Sequence, residues 1–315
     1  MKFKKLFLFL AAVVGLAAFT SCDKKDISFD NETVQACSIA APKGAPAISV
    51  AALANVTDAK YDFVAATNIS SELAKATAKA DFVIAPINAG AKLYKLGKSE
   101  YKLAAVVTWG NLYFASQKEN FSLIDIKDST VTFFGQNSIN ASIASYVLNE
   151  KGYAPAYIEY VAEATDAQTV LVSDANPIVL CAEPAISAAK LKKPNITSIS
   201  VQALYKELTG NDGFTQAGLF VNPKAISEKK DVVDKYILEV SKSIEKCSSS
   251  LDEVAQICVD LKLLPNLNVA KAAIPLCSVK FMKATEAKTQ IETTANIDLS
   301  QFGGALPVEE FYYQF

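Results

Sequence analysis

From residue 35 onward, short apolar runs alternate with stretches whose apolar residues recur at helical spacing. Segments 35–41 (QACSIAA), 61–67 (YDFVAAT) and 81–86 (DFVIAP) read as buried strands, because a strand covered on both faces is apolar throughout. Residues 47–55, 71–80 and 89–96 read as the helices between them, and 101–109 (YKLAAVVTW) as a fourth strand. Strands separated by helical crossovers predict a mostly parallel sheet with helices on both faces.

The same pattern restarts near residue 130. Residues 129–134 (STVTFF) predict a strand and 135–138 (GQNS) a turn. A helix follows, with Ile139, Ile143, Tyr146 and Val147 on one face, Ser138 as its N-cap and Gly152 as its stop. Residues 156–161 and 176–184 continue as strands around a helix near 166–172. Two extended stretches, 109–117 (WGNLYFASQ) and 215–223 (TQAGLFVNP), flank this second unit, and helices at 225–247 and 251–261 follow. The expected architecture is an α/β protein of two lobes, the second inserted into the first, with a hinge where the two stretches cross and C-terminal helices beyond. The expected divisions are lobe 1 at 35–112, lobe 2 at 113–217, and a return to lobe 1 with C-terminal helices over 218–315.

The front of the chain is different in kind. Lys2, Lys4 and Lys5 precede an apolar run from Leu6 to Ala18, then Thr20, Ser21 and Cys22. That is the layout of a bacterial secretion signal over 1–21, too short for a confident membrane span. Residues 19–22 (FTSC) resemble a lipobox, which makes Cys22 the expected lipidation site and 22–34 a tether. Acyl chains on Cys22, palmitate among them, would attach the chain to a membrane facing the periplasm or exterior. Removing 1–21 takes away three lysines and no acid, so the formal charge moves from −2 to −5.

All 31 basic residues are lysine, and histidine is absent. This excludes Ser-His-Asp and Cys-His catalysis, histidine metal sites and bidentate arginine clamps. With no basic run, no nucleic-acid partner is expected. Beyond Cys22 the cysteines are Cys37, Cys181, Cys247, Cys258 and Cys277, none in a CxxC pair, so no metal is expected. Cys37 and Cys181 sit in apolar runs and read as small core hydrophobes. Cys247 with Cys258 or Cys277 is a candidate disulfide.

Ligands of open α/β sheets sit beyond the carboxyl ends of strands, at helix N-termini. Those positions here are the loops APKGAPA (41–47), TNISS, APINAG, FGQNSIN and CAEPA, built almost wholly from Gly, Pro, Asn, Ser and Gln, with only Lys43 and Glu183 charged. Pro42 and Pro46 stiffen the first loop, and Gly44 lets a backbone approach a ligand.

The segments 41–53, 80–94, 103–116, 134–138 and 179–189, in this order and spacing, resemble the substrate-binding proteins of bacterial ABC importers with the type 2 periplasmic binding fold. The branch they resemble is the one of thiamine-pyrimidine, riboflavin and sulfonate binders. The resemblance implies a small-molecule ligand held between the lobes, delivery to an ABC permease and ATPase complex, and a monomer without cofactor or catalytic residues. Its ligand positions fall on Lys43, Gly44, Ala45 and Pro46, then Asn68, then Pro86, Ile87 and Asn88. They continue through Thr108, Trp109, Gly110 and Tyr113 at the first crossing, and end with Gly135, Gln136, Asn137, Ser138, Glu183 and Pro184. Trp109 and Tyr113 either stack on a planar ligand or, for Trp109, pack in the hinge. Glu183 reads either as a ligand contact or as a carboxylate at a helix start. The missing Arg and His favour a neutral or weakly charged ligand, flat and heterocyclic in one reading. The alternatives are a lipoprotein that senses its ligand for a membrane partner and a cleft enzyme using Glu183 and Lys43.

Overall fold

The computed structural model describes residues 27–74, 79–173 and 175–315. The expected signal, Cys22 and the start of the tether lie outside the described residues. Among these residues no helix is long and apolar enough to cross a membrane.

The chain builds two sheets. It opens with a short helix α1 (Asn31–Ala36), then β1 (Ser38–Pro42), two single-turn helices α2 (Ala45–Ile48) and α3 (Ala51–Ala54), and β2 (Lys60–Val64). After α4 (Ile69–Glu72) come β3 (Phe82–Pro86), α5 (Ile87–Lys95) and β4 (Lys102–Trp109). The chain then crosses to β5 (Leu112–Ser116), β6 (Thr130–Phe134), α6 (Ile139–Lys151), β7 (Tyr157–Val161), α7 (Ala164–Leu171) and β8 (Ile178–Ala182). Next are α8 (Ala185–Lys192), β9 (Thr197–Ser200) and α9 (Val201–Thr209). It returns through β10 (Thr215–Val221) to α10 (Pro223–Ser249), α11 (Leu251–Asp260), α12 (Leu267–Ala273), β11 (Val279–Lys283) and α13 (Lys288–Ile297).

The first sheet has the order β11-β4-β10-β3-β1-β2 and the second β7-β6-β8-β5-β9. The expected parallel character holds for two of the five pairings in the first sheet and two of the four in the second. β1 pairs parallel with β2 and β3, but β10 runs antiparallel to β3 and β4, and β11 to β4. In the second sheet β6 is parallel to β7 and β8, whereas β5 is antiparallel to β8 and β9. The antiparallel members are the crossing strands and their neighbours. β5 follows β4 with no helix between them, whereas β10 and β11 are each reached through helices, so a helix before a strand does not by itself make its pairing parallel.

Local chemistry explains most elements. β1, β3 and β4 are buried almost throughout. β2 differs from the expected buried strand: it is the edge of its sheet, and Lys60, Tyr61 and Asp62 are exposed. The helix expected over 47–55 is two turns broken at Ser49, whose hydroxyl donates to the Pro46 carbonyl at 2.6 Å. The one expected over 71–80 is the turn α4, and residues 75–78 lie outside the described residues. α6 has the expected termini: Ser138 Oγ accepts from the Ala141 N–H at 3.3 Å, and Gly152 is left-handed at φ 75°.

The core follows the sheets. One apolar cluster joins the facing layers of both sheets through Val106, Trp109, Phe114, Phe133 and Phe220. A second lies between the first sheet and α10, where Phe82 stacks on Tyr236 with ring centroids 4.6 Å apart. A third joins α2 to α11 and α12, and contains Cys247, Cys258 and Cys277. All five described cysteines are buried free thiols, so the candidate disulfide is absent. Burial raises the Cys247 and Cys258 thiols to about 12.

Residues 28–30 are tied to α10. The Lys242 ammonium donates to the Ser28 carbonyl at 3.2 Å, the Asp30 N–H donates to Glu239 Oε2 at 3.2 Å, and Lys246 lies over the Phe29 ring.

Candidate functional site

Between the sheets lies a cavity of about 1190 Å³, walled by loops from both. Its walls are N-termini of helices: Gly44 ahead of α2, Pro86 ahead of α5, Ser138 ahead of α6, Pro184 ahead of α8 and Asn266 ahead of α12. The first N–H groups of a helix lack intrahelical acceptors and carry the positive end of its dipole. α6 and α12 spend one such N–H on the side chains of Ser138 and Asn266. α5 has no side-chain cap, so no side chain takes its first N–H groups, which lie at the cavity wall.

Gly44 explains the shape of the first loop. Its φ of 108° and ψ of −156° fall where a side chain is strongly disfavoured. That conformation turns the chain from β1 into α2 with Lys43 exposed at the cavity rim and Ala45 buried.

Eleven of the residues singled out in the sequence line this cavity: Lys43, Gly44, Ala45, Pro46, Pro86, Asn88, Thr108, Asn137, Ser138, Glu183 and Pro184. Seven do not. Asn68 is exposed, and its carbonyl accepts from the Ser71 hydroxyl at 2.7 Å. Ile87, 1% exposed, turns into the core of the first sheet, where its side chain packs beside Gly218. Gly135 donates its N–H to the Val161 carbonyl of β7 at 2.9 Å, its carbonyl closes the turn by accepting from the Ser138 N–H at 3.1 Å, and Gln136 beside it is exposed. Tyr113 sits on β5 between Cys181 and Ser200, and burial pushes its hydroxyl up to about 12.

Trp109 and Gly110 face a separate hollow of about 480 Å³ at the crossing, which shares no lining residue with the main cavity. The indole Nε1 donates to the Lys280 carbonyl at 2.9 Å, and the Lys280 ammonium lies 5.6 Å from the ring centroid. In this arrangement Trp109 packs against Lys280 at the crossing and lines no part of the main cavity. Trp109→Phe should lower stability by about 1–2 kcal/mol, because the Lys280 carbonyl loses its donor. A urea melt checks this, and ligand affinity should stay within about twofold.

Residues from later in the chain complete the walls. Gln216 on β10 donates its Nε2 to Asn140 Oδ1 at 3.0 Å, joining the two halves across the cavity. Pro265, Asn266 and Asn268 close one side. Pro-Asn ahead of an apolar helical run is the same signal that marked the other loops. Gln216 carries no such signal, being one polar position in a strand.

Glu183 is the one buried carboxyl among the lining residues, 5% exposed. Its Oε1 accepts from the Ser187 hydroxyl at 2.9 Å, and its Oε2 from the Ser187 N–H at 3.3 Å. It thus caps the start of α8 while facing the cavity. Burial raises its pKa from 4.5 to about 7, against the opposing hydrogen bonds of Ser187 and the charge of Lys190. No cluster of three metal-ligating side chains exists among the described residues.

No family model matches the chain, and no curated protein does. Solved structures match over most of its length. An ABC transporter structure from Parabacteroides distasonis is 20% identical, with a TM-score of 0.73 over 88% of this chain and 98% of that one. The periplasmic aliphatic sulphonate-binding protein SsuA of Escherichia coli is 13% identical, with a TM-score of 0.68 over 88% and 92%. The alkanesulfonate-binding protein SsuA of Xanthomonas axonopodis pv. citri, bound to MOPS, is 12% identical, with a TM-score of 0.64 over 89% and 98%. The chain has the periplasmic-binding-protein fold, a mixed α/β architecture of two sheets.

Proposed function

We propose that this chain is the solute-binding component of an ABC-type importer, holding a small polar ligand between its two lobes and performing no turnover. The observation that carries the reading is the interlobe cavity, where the uncapped N-terminus of α5 from the first lobe lines the same space as Glu183 and the start of α6 from the second. In this reading 35–112 and 218–315 form the first lobe and 113–217 the second. Closure turns on the crossings at 109–112 and 209–215. The lining suits a neutral or weakly charged ligand: it offers amides, hydroxyls and free N–H groups but no Arg or His. Lys43, Asn88, Thr108, Asn137, Ser138 and Glu183 are the proposed contacts. Cys22 is the proposed lipid attachment, holding a monomer outside the cytoplasm beside its permease.

Two measurements test this. In a thermal-shift screen of vitamins, pyrimidines, flavins, sulfonates and amino acids on residues 23–315, one class should raise the melting temperature. A ligand at 100 times its Kd adds about 2.7 kcal/mol. The same ligand should shrink the radius of gyration in solution scattering as the lobes close. If no small molecule moves either quantity, the solute-receptor reading fails. For the anchor, an alkyne-palmitate label should enter the wild type and be absent from Cys22→Ala.

A further inference from the structure

The cavity holds more acceptor capacity than the protein itself matches. Both oxygens of the buried Glu183 carboxyl are met only by the neutral hydroxyl and N–H of Ser187. No ion pair reaches Glu183 among the described residues. Lys190, one turn beyond Ser187 on α8, is committed elsewhere, with its ammonium on Ser198 Oγ at 2.7 Å. The other lysines at the cavity, Lys43 and Lys192, are exposed. In the wall contributed by the first lobe, Asn88 Oδ1 is buried without a hydrogen-bond partner. A buried acceptor left unmatched is costly, and a buried carboxylate without a counter-charge more so.

We propose that the ligand carries a cationic N–H donor group, an ammonium or amidinium, that seats against Glu183, with Asn88 Oδ1 taking a further N–H. This rests on the reading of the cavity as a solute site and names the chemistry of what fills it. The uncapped N-terminus of α5 then serves acceptor atoms elsewhere on the same ligand, so the ligand is amphoteric. A sulfonate alone, the cargo named for two of the similar structures, would leave Glu183 unmatched. The other groups around the carboxyl support the assignment. Tyr113 from β5, Cys181 from β8 and Cys277 ahead of β11 are all held neutral by burial, and beyond the two hydrogen bonds from Ser187 only the charge of Lys190 favours the carboxylate.

Three probes of one size and shape separate the possibilities: benzamidine is a cationic donor, benzamide a neutral one, and benzoate an anionic acceptor. Binding is measured by calorimetry on the protein at about pH 8, where Glu183 is ionised. Benzamidine should bind at least about tenfold more tightly than benzoate. Glu183→Gln, whose amide oxygen still accepts from Ser187, should remove that preference while leaving benzamide within about twofold. In the wild type the preference should also weaken toward pH 6, as Glu183 takes up a proton while both charged probes keep their charge. Equal or tighter binding of benzoate, no binding of any probe, or a preference that survives in Glu183→Gln would overturn the proposal. A screened solute that closes the lobes while benzamidine shows no preference sinks this inference alone. Benzamidine binding in a protein that no solute closes sinks the transport reading instead.

Discussion

Glu183→Gln is expected to stabilise the ligand-free protein above neutral pH by about 3 kcal/mol and to leave it nearly unchanged below pH 4.5. The carboxyl titrates near 4.5 when unfolded and at about 7 when folded, because burial penalises its charged form. Between those values the native state binds a proton that the unfolded state has released, so stability falls as pH rises through the window. Every tenfold difference in proton affinity between the two states corresponds to about 1.4 kcal/mol. Below the window both states are protonated and the penalty vanishes; above it the native protein holds a buried carboxylate. Glutamine carries no charge to desolvate and keeps the cap on α8, so the variant has no such slope. Chemical denaturation of both proteins from about pH 4.5 to 8.5 reads the difference. Parallel curves for the two proteins would show that Glu183 is better solvated than its 5% exposure implies.

The second large effect concerns Phe220 and Gly90. Phe220 on β10 is fully buried, meets Phe311 edge-on at 5.9 Å and ends where Gly90 of α5 leaves space. A Cβ on Gly90 would lie 2.3 Å from the ring tip. Phe220→Ala should therefore cost about 3–5 kcal/mol, from lost burial and the cavity left behind. Gly90→Val should cost about 1–3 kcal/mol by overpacking against the same ring. Combined, the two changes should fall short of the sum by at least about 1 kcal/mol, since the valine enters the space the ring vacates. Urea unfolding of the four proteins checks the cycle. Strict additivity would mean that helix α5 shifts away from the sheet instead.

Much of this was readable in the residues, and the misses have physical causes. The apolar runs placed most strands of both sheets, because a strand covered on two faces has no choice of residue type. The loops at 41–47, 85–90, 135–138 and 182–185 announced themselves because strand-to-helix turns need Gly, Pro, Asn and Ser. The direction of β10 was not readable, since the residues of a strand do not encode which neighbour it meets. β2 misled for a related reason: YDFVAAT is as apolar as a central strand, and only the order of strands makes it an edge. Trp109 had two readings, stacking platform or packing, that no local pattern separates: side chains alternate along a strand, so Thr108 lines the main cavity while Trp109 lines the hollow beside Lys280. Gln216 and Asn140 meet only through tertiary structure, 76 residues apart, and no local pattern links them.

The interleaving of the first sheet also bears on how the chain comes to be folded. All five strands of the second sheet lie within residues 112–200, so a growing chain can close that sheet early. The first sheet cannot follow suit. Its third strand in spatial order, β10, is made only at 215–221, and its edge β11 only at 279–283. Until then β3 and β4 face each other across an empty track, with their backbone groups unpaired toward it. The segment synthesised first is thus the last to be sealed. During synthesis that open seam, more than any surface of the finished molecule, is where the chain is most exposed to mispairing.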